Sequence, residues 1–178
     1  MVQEKGIKIA FVDYLQLMHA SAALAQYRAL EIGEISRQLK ETAKELHIPI
    51  IALAQLNRNL MTRQGSSNGR PVLSDLRDSG SIEQDADMVL FIHRPALLGL
   101  SEDGIDRAEL IIAKNRAGEM GIIPLRFNGD QVTFKEDNMS LADYVAAVPV
   151  QSAMNSYDIT PRPSEGYSPF DHFESGDL

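Results

Sequence analysis

Two apolar runs, each closed by a polar residue and separated by a helical segment, most constrain what this chain can fold into. The runs are residues 7–13 and 48–55, and they end in Asp13 and Gln55. Nearly continuous apolar runs are typical of strands buried on both faces of a parallel sheet. Residues 29–46 between them have apolar positions at helical spacing, which predicts a strand–helix–strand unit with a right-handed crossover. Ligands bind beyond the carboxyl ends of such strands, so we expect Asp13 and Gln55 side by side at a site there.

The rest of the chain predicts a mixed α/β fold. Residues 73–84 favour short helical turns, and residues 88–93 favour a third buried strand. Residues 108–134 contain three short apolar segments separated by glycine-containing turns, which predicts antiparallel hairpins. We therefore expect an α/β domain over residues 1–134, with a parallel sheet and an antiparallel edge hairpin. Residues 135–178 are rich in Pro, Ser, Gly and acidic residues, which predicts a disordered acidic tail.

Composition and charge exclude several classes of protein. Cysteine is absent, which excludes disulfides and thiolate metal sites and makes a cytoplasmic location the simplest interpretation. No apolar run approaches the roughly 18 residues of a membrane-spanning helix, and we expect no membrane partner. The net charge is −8, but residues 135–178, with two basic and eight acidic residues, contribute −6 of it. Residues 46–74 have no acidic residue and carry Arg58, Arg63 and Arg70, which favours a polyanion-binding surface as much as an ordinary solvated one.

Four groups of residues are candidates for chemistry, and each has a structural alternative. Asp13 could hold a water of Mg²⁺, or could be an ordinary strand end. Gln55 could contact a γ-phosphate or orient an attacking water, since its amide both donates and accepts, or could bond to nearby backbone. Residues 77–81, Arg-Asp-Ser-Gly-Ser, could hold a phosphate through backbone N–H groups, or could cap a helix. Lys114 and Arg116 could reach a neighbouring subunit's nucleotide, or could form an exposed hairpin tip.

Four motifs together resemble the C-terminal, RecA-like motor domain of the bacterial replicative DNA helicases, the DnaB family. They follow the family's order and spacing, and they are VDYLQLM at 12–18, ALAQLNR at 52–58, RPVLSDLRDSGSIEQDAD at 70–87 and AKNRAG at 113–118. The resemblance spans residues 7–134, and the third motif is nearly diagnostic. It implies a homohexameric ring that uses ATP and Mg²⁺ to move on single-stranded DNA and unwind duplex DNA at replication forks. It also implies primase and a helicase loader as partners, largely through regions outside this chain.

The resemblance implies roles for individual residues. Asp13 resembles the Walker B aspartate on Mg²⁺, and Gln55 resembles the glutamine that couples the γ-phosphate to the DNA loops. Lys114 and Arg116 resemble the pair offered to the adjacent subunit's nucleotide. The DNA-binding candidates are the matching loop residues and two arginines of the acid-free stretch: Arg77, Asp78, Gly80, Arg58 and Arg70. Family members usually have Glu where Asp78 stands, a difference of one methylene.

One element of the family pattern is absent. The chain has no Gly-x-x-x-x-Gly-Lys-Ser/Thr motif, which holds nucleotide phosphates, so we expect the C-terminal part of a motor domain that is inactive by itself. Two alternatives stay open. One is a recombination or repair ATPase of the same fold, which residues 75–87 disfavour. The other is a non-enzymatic truncated subunit that only pairs with intact subunits or a loader, which the missing motif favours.

Overall fold

The computed structural model describes residues 5–20, 27–56, 69–98, 106–137 and 143, and for residues 77–79, 96 and 98 it describes the backbone only. The helices and strands in chain order are β1 (Ala10–Val12), α1 (Arg28–Leu46), β2 (Ile50–Ala52), α2 (Gly80–Asp85), β3 (Met88–His93), β4 (Arg107–Asn115), β5 (Gly121–Asn128) and β6 (Thr133–Glu136). Short 3₁₀ helices occupy Leu15–Leu17, Leu73–Ser79 and Pro95–Leu98. Within the described ranges, no helix is both long enough and apolar enough to cross a membrane.

The predicted strand–helix–strand unit is present. β1 and β2 pair in parallel, with Ala10 opposite Ile50 and Val12 opposite Ala52. Helix α1 begins one residue before the predicted start and ends at the predicted Leu46. It ends there because the next residue turns into the left-handed region with φ 52°, a common way to close a helix. The two strand ends therefore lie beside each other at one edge of the sheet.

The remaining strands form a second, antiparallel sheet in the order β3-β4-β5-β6. The hairpins expected over residues 108–134 are confirmed, and β3 also pairs with β4 in antiparallel fashion. The antiparallel part is therefore larger than the edge hairpin that the sequence predicts. The fold also continues past residue 134, because β6 runs to Glu136 and Asp137 forms an ion pair with Arg126 at 3.0 Å. The acidic tail was predicted for residues 135–178, and residues 138–178 of it lie outside the described residues, apart from residue 143.

One hydrophobic core joins the helices to the second sheet. Ile32 and Ile35 of α1 pack with residues of α2, of the adjoining 3₁₀ helices and of β3 and β4: Leu15, Leu76, Ile82, Val89, Phe91, Ile111 and Ala113. The two α-helices approach closely at Gly33, where an added Cβ would lie 2.7 Å from the Ser81 hydroxyl oxygen. A larger residue at position 33 would therefore require the Ser81 side chain to shift. This core fixes α2 against the elements that carry the candidate site.

The expectation that β1, β2 and β3 are buried on both faces is wrong for the described residues. Val12 packs against the core, but its neighbour Phe11 on the opposite face is 66% exposed. Ile51 of β2 is likewise 47% exposed, and exposed and buried residues alternate along β3. Successive side chains of a strand point to opposite faces, and the core lies on one face only. The apolar runs are real, but no described element covers their second face.

Candidate functional site

Asp13 and Gln55 follow the carboxyl ends of the two parallel strands. Asp13 comes directly after the last residue of β1, and Gln55 comes three residues after the last residue of β2. Both residues are exposed, and the paired strand ends Val12 and Ala52 place them at the same edge. A carboxylate and a carboxamide are thus offered to solvent where α/β sheets bind ligands. The arrangement agrees with the geometry that the sequence predicts.

The residues at this edge fit part of a metal–nucleotide site. Mg²⁺ is commonly bound by one or two carboxylates, with waters and substrate phosphates as the other ligands. The exposed Asp13 suits that mode, and the described part of the chain contains no group of three or more His, Asp or Glu residues that could form an all-protein cage. The nucleotide phosphates need a backbone cradle and a lysine, and this sequence has no such motif. Asp13 and Gln55 therefore fit the parts of a site that face the metal ion and the γ-phosphate. The chain does not supply the loop that binds the other phosphates.

The loop after β1 is anchored to the first turn of α1. The Arg28 guanidinium donates to the carbonyl oxygens of Gln16 (2.6 Å) and Met18 (3.1 Å), and it pairs with Glu31. The buried Glu31 carboxylate also accepts a hydrogen bond from the Ala20 N–H at 3.0 Å. The hydrogen bond from Arg28 keeps the pKa of Glu31 below its ordinary value of 4.5 against the opposing effect of burial. No sequence signal marked Arg28 or Glu31 as functional, and Gln16 was marked only by its place within the motif at 12–18.

Lys114 and Arg116 lie at the end of β4 and dock on the carboxyl end of α2. The Lys114 Nζ donates to the carbonyl of Glu83, and an Arg116 Nη donates to the carbonyl of Gln84 at 2.6 Å. Free carbonyls at a helix end attract cations, which explains why both side chains face α2. The Arg116 side chain is still 52% exposed. Both residues therefore lie where the β4–β5 hairpin turns, as the structural alternative predicts, and hydrogen bonds to α2 hold their side chains.

Asp87 links Arg116 to α1. Its carboxylate pairs with Arg116 at 3.2 Å and with Lys40 of α1, and its carbonyl accepts the Arg116 N–H at 2.9 Å. The hydrogen bond from Lys40 lowers the pKa of Asp87, and the charges of Arg116 and Lys114 act in the same direction. The charged carboxylate therefore contacts a cation on α1 and a cation after β4.

Arg70 does not lie where the sequence analysis expects it. Its guanidinium forms two hydrogen bonds with Glu109, at 2.7 and 2.5 Å, and the two side chains are 4% and 0% exposed. An arginine in a loop without acidic residues was expected to face a polyanion. Instead, the carboxylate of Glu109 on β4 neutralises its charge inside the fold. In this structure the Arg70 guanidinium is not available to a DNA phosphate.

The other DNA-binding candidates are only partly described. Arg58 and Arg63 lie outside the described residues. Arg77 and Asp78 lie in the 3₁₀ helix Leu73–Ser79, where only their backbone is described. Gly80 is exposed at the start of α2, and an added Cβ there would meet no atom within 4 Å. The backbone at position 80 is therefore open to an approaching group.

Comparison with known proteins identifies the class of protein that this fold and site define. The family model described as the DnaB-like helicase C terminal domain matches residues 1–136. The chain belongs to that family. The replicative DNA helicase DnaB of Buchnera aphidicola subsp. Acyrthosiphon pisum is 49% identical over 142 residues, which is 80% of this chain and 30% of that helicase.

Two solved structures have a similar fold. One, described as an ATPase domain, has a TM-score of 0.67 and 40% identity, over 73% of this chain and 44% of its own. A structure of a DnaB-like replicative helicase and its interactions with primase has a TM-score of 0.64 and 41% identity, over 71% of this chain and 29% of its own. The chain thus spans about a third or less of the helicases it matches, and under half of the ATPase domain.

Proposed function

We propose that this chain is the C-terminal part of the motor domain of an ATP-driven replicative DNA helicase. The complete protein would act as a homohexameric ring on single-stranded DNA at replication forks in the cytoplasm, with primase and a helicase loader as partners. The observation that carries the proposal is the family match over residues 1–136, with Asp13 and Gln55 at neighbouring ends of parallel strands. The family match also argues against a recombination or repair ATPase.

Each candidate residue has a part in the proposed ATP hydrolysis. Asp13 would hold Mg²⁺ through a water, and the bound ion would neutralise charge on the β- and γ-phosphates. Gln55 would orient the attacking water or sense the γ-phosphate, because its carboxamide can donate and accept at once. Lys114 and Arg116 would face the nucleotide of the adjacent subunit, where a cation stabilises charge that develops in the transition state. The half-exposed Arg116, held by Asp87, is suited to that task.

The DNA contact would lie in the segment around Arg77, Asp78 and Gly80, and Arg58, outside the described residues, stays a further candidate from the sequence. Such contacts go mainly to phosphates and are insensitive to base sequence. The open backbone at Gly80 supports a close approach by a phosphate oxygen. Arg70 is left out of this set, because Glu109 holds its guanidinium inside the fold.

A chimeric helicase tests the proposal. Residues 1–136 of this chain replace the matching segment of the Buchnera helicase, which supplies the rest of the motor. We expect DNA-stimulated ATP hydrolysis and unwinding of a forked substrate. The same chimera with Asp13→Ala is the matched control and should lose hydrolysis. A correctly assembled ring that binds ATP but neither hydrolyses it nor unwinds DNA would contradict the proposal.

A second candidate function, a non-enzymatic subunit, is favoured by the missing phosphate-binding motif. Such a chain would join rings of intact helicase and lower their activity. Titrating the 178-residue chain into the Buchnera helicase tests this. A dose-dependent loss of unwinding supports the second function, and unchanged unwinding at a large excess of the chain rejects it.

A further inference from the structure

The hydrogen-bond ladder between β1 and β2 continues past the last paired residues of the strands. The Leu53 N–H donates to the Val12 carbonyl at 2.9 Å, and the Leu15 N–H donates to the Leu53 carbonyl at 2.9 Å. At Leu15 the chain enters the 3₁₀ helix Leu15–Leu17. The backbone of residue 16 therefore leaves the direction of the strand and does not form the next rung.

The side chain of Gln16 forms that rung instead. Its Nε2 donates to the Gln55 carbonyl at 3.1 Å, and its Oε1 accepts the Gln55 N–H at 3.1 Å. Gln55 lies two residues beyond Leu53, which is the spacing of successive rungs on one strand. A carboxamide carries a donor and an acceptor in one plane, as a peptide group does. Gln16 thus replaces a backbone peptide and holds both polar backbone groups of Gln55.

Gln16 is itself held in place. Arg28 donates to its carbonyl at 2.6 Å, and the same guanidinium is fixed by the buried Glu31. The loop that presents the Gln16 side chain is therefore hydrogen-bonded to the first turn of α1. The Gln55 side chain is exposed at the sheet edge, while its backbone is fixed from this loop.

We propose that Gln16 is a positioning residue, which sets the backbone of Gln55 so that the Gln55 carboxamide faces the γ-phosphate. This inference rests on the proposed function for the role of Gln55, and it adds a residue that touches neither nucleotide nor metal. A glutamine is needed because a carboxylate could only accept and a shorter amide would not span the gap. The alternative role, a general contribution to stability, predicts that all parts of the sheet loosen equally.

Amide hydrogen exchange in the complete 178-residue chain, followed by NMR, separates the two roles. With Gln16→Ala we expect the Gln55 amide to exchange about tenfold faster, while the Leu53 amide, which bonds to Val12, is unchanged. Gln16→Glu keeps the acceptor and should give a smaller increase. Gln38→Ala, at an exposed glutamine of α1, is the matched control and should alter neither amide. Equal acceleration of Leu53 and Gln55, or no acceleration of Gln55, would overturn the inference.

Kinetics in the chimeric helicase supply the functional readout. We expect Gln16→Ala to lower kcat about tenfold and to leave ATP affinity within about twofold, because a misplaced group loses mainly transition-state interactions. An equal loss in binding and turnover would overturn the positioning role. If the chimera with natural Gln16 lacked hydrolysis, the proposed function would fail, whereas the exchange of the Gln55 amide would still decide whether Gln16 holds that backbone.

Discussion

The guanidinium of Arg70 and the carboxylate of Glu109 form a buried, two-bond ion pair across 39 residues of sequence. Removing one partner of a buried pair leaves an uncompensated charge, which typically costs about 3–5 kcal/mol. We therefore expect Arg70→Ala, which leaves the buried Glu109 carboxylate without its guanidinium, to lower the free energy of unfolding of the chain by about that amount. Urea denaturation followed by circular dichroism measures it.

A double-mutant cycle tests whether this loss comes from the pair. Arg70→Ala combined with Glu109→Ala should cost clearly less than the sum of the single changes, because neither charge is then left unpaired. Arg37→Ala is the control, since Arg37 pairs with Glu41 on the exposed face of α1 and should change stability little. Additive losses at positions 70 and 109 would contradict the pairing.

The same pair illustrates what the sequence could and could not predict. The β1–α1–β2 unit and the hairpins were predictable because their sequence signals are local. These signals are the spacing of apolar residues along each element and the turn residues between the strands. Arg70 was misplaced because nothing in its own loop identifies a partner on β4. The exposure of Phe11 was also missed, since an apolar run indicates that a face needs cover but not which segment covers it. The pairing of β1 and β2 puts the residues after both strands at one edge of the sheet, because parallel strands end at one edge, and the roles of Asp13 and Gln55 there stay a prediction.

Glu31 should make the stability of the chain depend on pH. Its pKa is lowered in the folded chain, so folding favours the charged carboxylate. This stabilisation is fully present above the ordinary pKa of 4.5 and is lost as the pH falls through the lower pKa of the folded state. We expect Glu31→Gln to lower Tm at pH 7, and the difference from the parent to shrink below pH 4.5. Melting curves from pH 7 to acid pH measure it.

Glu45→Gln is the matched control for Glu31, because Glu45 is an exposed glutamate of the same helix. The Tm of this variant should stay close to that of the parent chain across the same pH range. A constant difference between Glu31→Gln and the parent at all pH values would show that the loss is unrelated to the titration of Glu31.

The isolated chain should bind and hydrolyse ATP poorly. The phosphate-binding motif, whose backbone N–H groups and lysine supply most phosphate contacts in this class of site, does not occur in the sequence. We expect no heat of binding for Mg-ATP at micromolar concentrations in calorimetry. The chimeric helicase, which regains the motif, is the positive control. Micromolar affinity in the isolated chain would contradict this prediction.

Arg116→Ala in the chimeric helicase should abolish hydrolysis and leave ATP binding within about an order of magnitude. A cation supplied from a neighbouring subunit acts mainly on the transition state and is worth about 10³-fold or more in rate. Arg126→Ala is a close control, because Arg126 is also 52% exposed and also pairs with an aspartate. It should keep most of the activity.

The trans position of Arg116 is tested by mixing subunits. Rings that combine Arg116→Ala subunits with Asp13→Ala subunits should contain some sites with both groups intact, and so should regain part of the hydrolysis. The absence of both complementation and poisoning in mixed rings would exclude a role across the interface.

Arg77→Ala in the chimeric helicase should weaken binding of single-stranded DNA about equally for all sequences. A phosphate contact releases counterions, so its loss should also flatten the plot of log affinity against log salt by roughly one contact. The alternative is that Arg77 only pairs with Asp75, Asp78 or Glu83 and stabilises the fold. That alternative predicts a lower Tm with an unchanged salt slope. Binding titrations at several salt concentrations, together with a thermal melt of the same variant, distinguish the two, and a destabilised protein with an unaltered slope would remove Arg77 from the proposed DNA contact.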